Sequence, residues 1–368
     1  MGDIYIGLMS GTSADSIDCA ALNLKDEKIN VIGCNNYEIP STLRSGILEA
    51  SQANSPDKTQ IEILDMNMAN VLVASVKNLV HELDINLNEI RAIGSHGQTI
   101  KHNPNGDNPF SLQIGNPQKI SNDLGITTIG NFRTDDIEAK GQGAPLTPIF
   151  HEKVFGSDGQ SKIIINIGGI VNISALGLQK TIGFDTGPGN CLMDIWSRRN
   201  NIGNYDDEGK WAASGTINHP LLKEMMDDDY FSRNYPKSTG PDYFGENWID
   251  QQINKIPENI APEDTQATLI QVTALSIASA IEKLDFTDKN IYLCGGGSHN
   301  KFLIQEIEKI VNGSVYTSEK LGIDPDYLEA ICFGWFAKQR IKDVKFDLSQ
   351  ITGSIKEVYV GRKYEPTK

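Results

Sequence analysis

The chain has 368 residues, 48 acidic and 33 basic side chains, a formal charge of −15 and 39% hydrophobic residues, which suits a folded protein and excludes wholesale disorder. That charge repels polyanions and no Lys/Arg-rich stripe offsets it, so nucleic acid and anionic membrane are not expected partners. The five cysteines at 19, 34, 191, 294 and 332 are odd in number and form no Cys-x-x-Cys, which argues against a disulfide framework or zinc knuckle and for a reducing, cytoplasmic setting.

The opening MGDIYIGLMS has no basic region followed by a long apolar stretch, so it does not read as a signal peptide, and Ile6 spoils the myristoylation pattern. Residues 4–9 are apolar, 10–18 small and polar, 19–24 apolar again; this predicts strand, wide loop, strand. Ile61, Leu64, Met68, Leu72, Leu79 and Leu83 recur at helical spacing and predict a helix over 59–84. KIIINIGGIVNIS at 162–174 repeats the strand–turn–strand layout with Gly168 and Gly169 at the turn, which suggests two related halves. Asp227 to Asp229 read as a solvated helix end rather than a metal site. A helix is expected over 265–284; its apolar stretch 269–281 is interrupted by Gln271, Thr273, Ser276 and Ser279 and is too short to span a membrane. IYLCGGGSHN at 291–300 meets a helical pattern and predicts strand, turn, helix, and a last helix is expected over 327–338. Strands alternating with long helices imply an α/β protein.

No G-x-x-x-x-G-K-[ST], no G-x-G-x-x-G opening a helix, no G-x-S-x-G and no H-E-x-x-H occurs, which removes the common nucleotide, hydrolase and zinc-helix readings. GTSADSID, 11–18, instead offers three hydroxyls and a run of backbone N–H groups between two strands, a turn able to cradle phosphate or to be an ordinary polar hairpin loop. The turn at Gly168 and Gly169 and the glycines 295–297 favour the first: two phosphate turns clamp a polyphosphate and the third lets an adenosine approach. In GFDTGPGN, 183–190, Asp185 is either a base that orients or deprotonates a nucleophile or a cap for the helix that follows. Asp15 and Asp18 could hold Mg²⁺ through water. His96, Gln98 and Arg133, in GSHGQT, NFRTDD and the neighbouring GQGAPLTPIFH, could hold a sugar or cap their own loops; Glu329 opens an apolar helix as a helix-start charge or a ligand acceptor.

Taken together, GLMSGTSADSID (7–18), GSHGQT (94–99), GQGAPLTP (141–148), NIGGIVNIS (166–174), GFDTGPGN (183–190) and CGGGSHN (294–300) resemble the anhydro-N-acetylmuramic acid kinase family, in order and across the chain. The resemblance implies a two-lobed actin-like ATPase (ribonuclease H-like) fold with an interlobe nucleotide cleft. It further implies a dimer that uses ATP and Mg²⁺ to open 1,6-anhydro-N-acetylmuramic acid and phosphorylate O6 in cell-wall recycling. Residues 1–130 with the tail 341–368 are expected to form one lobe and 131–340 the other. Carried onto this chain, the ATP site comprises Gly11, Thr12, Ser13, Ala14, Asp15, Ser16, Ile17, Asp18, Gly168, Gly169, Gly295, Gly296 and Gly297. Asp185 is the catalytic residue, and Gln98, Asn131, Arg133 and Glu329 contact the sugar. Two positions depart from the family, which usually has Gly at Ser16 and Asp at Asn131; Ser16 would strain a positive φ there, and Asn131 lacks the charge for acid–base chemistry. A simple sugar kinase of this fold and an ATP-gated binding or chaperone-like protein are the alternatives.

Overall fold

The computed structural model describes all residues except 1–2, 26–28, 54–55, 105, 107, 157–158, 285, 287–288 and 368. In chain order the first elements are β1 (Ile4–Met9), β2 (Ser16–Asn23), β3 (Asn30–Glu38), α1 (Ser41–Gln52), α2 (Lys58–Glu82), β4 (Ile90–Ser95), β5 (Gln98–Asn103), β6 (Phe110–Ile114), α3 (Pro117–Leu124), β7 (Thr128–Gly130), α4 (Thr134–Glu138) and α5 (Thr147–Phe155). Then come β8 (Lys162–Ile167), β9 (Ile170–Leu176), β10 (Ile182–Pro188), α6 (Asn190–Arg199), α7 (His219–Met226), α8 (Asp229–Ser232), α9 (Glu246–Ile253), α10 (Pro262–Glu282), β11 (Asn290–Cys294), α11 (Lys301–Ile310) and β12 (Ser314–Thr317). The chain closes with α12 (Leu328–Ile341), β13 (Lys345–Phe346), β14 (Val358–Tyr359) and β15 (Arg362–Tyr364).

Residues 1–150 and 326–368 form one compact unit and 151–325 a second. The first is built on a six-stranded sheet ordered β15-β7-β4-β1-β2-β3, the second on a five-stranded sheet ordered β10-β9-β8-β11-β12. In each, the unit's leading strand (β1 or β8) pairs antiparallel with the next in sequence and parallel with a later one (β4 or β11). The third strand runs antiparallel to the second, and the fifth parallel to the fourth. The two halves thus share one strand order, the ribonuclease H-like plan whose duplication makes an actin-like ATPase fold. They differ at the first turn: Met9 pairs with Asp18 across a wide loop, whereas Ile167 pairs with Val171 across a tight one.

Every residue of β8, the central strand of the second sheet, is buried, as in a strand covered on both faces. The long α2 is capped by Asp57, whose carboxylate accepts from the amides of Thr59 and Gln60, and buries Leu64, Met68, Leu72, Val76 and Leu79 along one stripe. The lobe boundaries differ from the sequence-based expectation, which placed 131–150 and 326–340 in the second lobe. Backbone contact explains it. A Cβ on Gly7 of β1 would lie 1.8 Å from the Ala330 carbonyl oxygen, and one on Gly94 of β4 2.0 Å from that of Phe333, so α12 lies directly on the first sheet. The 131–150 stretch is tied to the same unit where Gln142 N–H donates to Thr352 O at 2.9 Å and buried Asp136 accepts from Thr352 Oγ1 at 2.7 Å and Gly143 N–H at 2.7 Å. Asp227 and Asp228 are helix-end residues, as expected; Asp228 caps α8 and accepts from Tyr243 and Trp248 as well.

Candidate functional site

The loop between β1 and β2 is folded by its own polar groups. Ala14 N–H donates to Gly11 O at 3.1 Å, and the Asp15 carboxylate accepts from Ser13 Oγ at 2.7 Å and Ser16 N–H at 3.0 Å. The left-handed residue of this loop is Ala14, with φ 50° and its side chain buried. Ser16 is instead the first residue of β2, paired with Glu38, so the strain expected from a side chain there does not arise. A Cβ on Gly11 would meet no atom within 4 Å, which leaves that side of the loop open to a ligand. Thr12 is exposed, while Ile17 is buried and anchors the start of β2.

Ser10 joins this loop to a sugar-contact candidate: its hydroxyl donates to Gln98 Oε1 at 2.6 Å, and Gln98 Nε2 donates to Thr99 O at 3.2 Å. His96 is buried, and its pKa is lowered to about 3, by burial first and then by the Arg133 guanidinium. The neutral ring donates from Nδ1 to Gly97 O at 3.0 Å, which leaves Nε2 as acceptor for Arg133 Nε at 3.1 Å. Arg133 also donates to Gly143 O at 3.1 Å, so the guanidinium is set between two loops. Asn131 has φ 52°, a conformation Asn tolerates better than most residues, and its amide donates to the Tyr364 hydroxyl at 2.5 Å. The Asp18 carboxyl is pushed up to about 7, by burial first and then by Glu329, Asp15 and Asp326. Glu329 therefore belongs to an acidic group around Asp18, while Gln98 is tied through Ser10 to the Gly11 loop and His96 holds Arg133. Asn131 points instead toward the C-terminal strand.

In the second unit, Asn190 links two of the expected turns. The carbonyls of Gly168 and Gly169 accept N–H groups from Asn190 and Gly189 at 2.8 Å each. The Asn190 side chain donates to Ile167 O and borders the 295–297 glycines, a Cβ on Gly297 lying 3.0 Å from its Oδ1. Those three glycines differ in role. A Cβ on Gly295, whose φ is 75°, would lie 2.3 Å from Asn166 Oδ1, and one on Gly297 2.1 Å from Ile167 Cγ2, so both are dictated by packing on β8. Gly296 is exposed, and its nearest neighbour would be 3.9 Å away.

Asp185 sits within β10, where the pairing with β9 slips between Asp185 and Gly187. It is not a helix cap: α6 starts after Gly189 and has no side-chain cap. The residue is buried, and Oδ2 accepts from Thr239 N–H at 3.0 Å. A bulge beside a buried carboxylate is a common way of aiming a reactive side chain. Sequence reasoning missed Thr239, Lys237 and Tyr230, which surround Asp185; the only signal was the Pro- and Gly-punctuated stretch PKSTGP at 236–241. Among the described residues no group of three or more His, Cys, Asp or Glu side chains could hold a metal ion by itself.

The family model for anhydro-N-acetylmuramic acid kinase matches residues 3–366. A relative from Coxiella burnetii, named anhydro-N-acetylmuramic acid kinase, is 39% identical over 98% of this chain and 97% of its own. One of the same name from Shewanella loihica is 40% identical over 97% of each chain. One solved structure with a distant likeness, a ROK family glucokinase from Streptomyces griseus with glucose and AMPPNP, is 12% identical, with a TM-score of 0.41 over 91% of this chain and 99% of that one. On the match across nearly its whole length, the chain belongs to the anhydro-N-acetylmuramic acid kinase family.

Proposed function

We propose that this kinase opens 1,6-anhydro-N-acetylmuramic acid with water and transfers the γ-phosphoryl group of ATP to O6, yielding N-acetylmuramic acid 6-phosphate and ADP in peptidoglycan recycling. The family match over 3–366 carries this reading. Asp185 removes a proton from the attacking water, the water oxygen bonds to the anomeric carbon, the bond from that carbon to O6 breaks, and O6 takes the phosphoryl group. No second carboxylate is needed to protonate the leaving oxygen, because phosphorus captures it. The backbone of Gly11 to Asp18 and of Gly168 and Gly169 binds the ATP phosphates, and the exposed face of Gly296, between Gly295 and Gly297, meets the adenosine. Gln98, Asn131, Arg133 and Glu329 hold the sugar, with Asn131 contributing hydrogen bonds only.

Mg²⁺ fits a role carried mainly by the ATP phosphates and water, with Asp15 and Asp18 as outer partners in an acidic group that also includes Glu329 and Asp326, whose mutual repulsion a divalent cation relieves. When bound it neutralises charge on the transferring phosphate. In this reading the enzyme works as a cytoplasmic homodimer, and its five cysteines, which form no disulfide among the described residues, suit a reducing compartment.

The test is an assay with the anhydro-sugar and MgATP, read by mass spectrometry. The expected product is N-acetylmuramic acid 6-phosphate, formed only with both substrates. A phosphorylated product lighter by one water, with its anhydro ring intact, indicates a simple sugar kinase. ATP turnover that the sugar does not stimulate indicates an ATP-gated binding protein.

A further inference from the structure

Asp185 lies on β10, the outer strand of the second sheet, so backbone groups that point away from β9 need partners from elsewhere. They come from a segment 45 to 54 residues further along. Asp185 N–H donates to Lys237 O at 3.0 Å, the Tyr230 hydroxyl donates to Asp185 O at 2.8 Å, and Thr239 N–H donates to the carboxylate Oδ2 at 3.0 Å. Lys237 Nζ donates to Tyr230 O at 3.0 Å and lies 4.3 Å from the Tyr230 ring centroid, so the supports also hold one another.

The geometry points to Lys237 and Thr239 as positioning residues that fix the Asp185 carboxylate in place and in its ionised form for proton removal. This rests on Asp185 being the base. One strand residue is gripped at its amide, its carbonyl and its carboxylate by a single segment, which leaves the side chain little freedom to leave a productive orientation. The N–H bond to Oδ2 and the nearby ammonium both favour the charged carboxylate. Burial lowers the Lys237 ammonium to about 8, with Lys283 and Arg233 adding to the fall and Asp185 opposing it, so Lys237 remains largely cationic at neutral pH. Tyr230 and, beyond it, Tyr243 are the other titratable groups on this side, and burial and Asp185 raise Tyr230 out of the working range. β9 faces Asp185 with Asn172, and α10 meets β10 through the hydroxyls of Thr273 and Ser276, none of which carries charge.

Thr239→Pro removes the N–H donor, Lys237→Met removes the charge while keeping an apolar stem, and Lys237→Arg restores charge. Each is assayed for kcat and KM across pH with the anhydro-sugar and MgATP, alongside Tm. Thr239→Pro and Lys237→Met are expected to lose kcat roughly 10- to 100-fold, with both KM values held within about threefold and the acid limb of kcat moved upward by about half a pH unit or more. Lys237→Arg recovers part of the limb shift. Should Thr239→Pro fail to fold, the Lys237 pair decides. Folded variants with unchanged kcat and acid limb, or with raised KM and unchanged kcat, overturn the positioning role provided Asp185→Asn is inactive; an active Asp185→Asn instead overturns the assignment of the base.

Discussion

Asp18 shows how a site residue can be legible while its chemical state is not. Its place beside a phosphate-type loop follows from the sequence, but its acidic neighbours include Asp326 and Glu329, brought close only by the fold. A carboxyl whose folded value near 7 exceeds its unfolded value of 3.8 contributes stability below the unfolded value that is lost as pH rises through the folded one. The isosteric Asp18→Asn is therefore expected to raise Tm at about pH 8 and to leave it nearly unchanged at about pH 4. Calorimetry at the two pH values checks this; an equal gain at both contradicts it. At Asp185 the expectation is catalytic: Asp185→Asn loses turnover by roughly 10²- to 10⁴-fold, as for loss of a general base, while ATP affinity measured by calorimetry is largely kept.

At the scale of elements, the three glycines at 295–297 separate packing from binding. Gly297→Ala drives a methyl group into Ile167 Cγ2 and is expected to cost about 1–3 kcal/mol of stability, read as a lower denaturant midpoint. Gly296→Ala finds room, so it should keep its stability and weaken ATP binding by about tenfold if adenosine approaches that face. Equal effects of the two on stability would contradict the division. Apolar runs between polar breaks made β1, β8 and β11 readable, and apolar residues three, four or seven apart made α2 readable. β2 begins three residues before the expected 19 because Ser16, Ile17 and Asp18 are held in the ladder by Glu38, Tyr37 and Asn36, and two of those three are too polar to announce a strand. The Lys237 and Thr239 supports were invisible because their contacts to Asp185 are largely backbone and far apart in sequence. The last helix was readable as a helix, yet its membership of the first unit follows from close approach to Gly7 and Gly94.

For the whole molecule, acid sensitivity follows from buried imidazoles. His96, His102 and His151 are each lowered to about 3, chiefly by burial, so all three stay neutral when folded and take up protons on unfolding below their ordinary value of 6.5. Stability is present above that value and is lost as pH falls toward 3. Asp18 and Asp136, whose carboxyls are raised by burial, act in the opposite sense but are fewer. A fall in Tm from about pH 6.5 to about pH 4.5 is therefore expected, and a flat profile over that range would contradict it.

The proposed reaction rests on one chemical claim: water, rather than a sugar hydroxyl alone, takes part in the transfer step. The direct measurement is turnover in water enriched in ¹⁸O, with mass spectrometry of the product at early times against a product-only control for slow exchange of the anomeric hydroxyl. The label is expected at the anomeric hydroxyl, with the phosphate on an unlabelled O6. Phosphorylated product without label at early times would contradict water attack even though phosphoryl transfer had occurred.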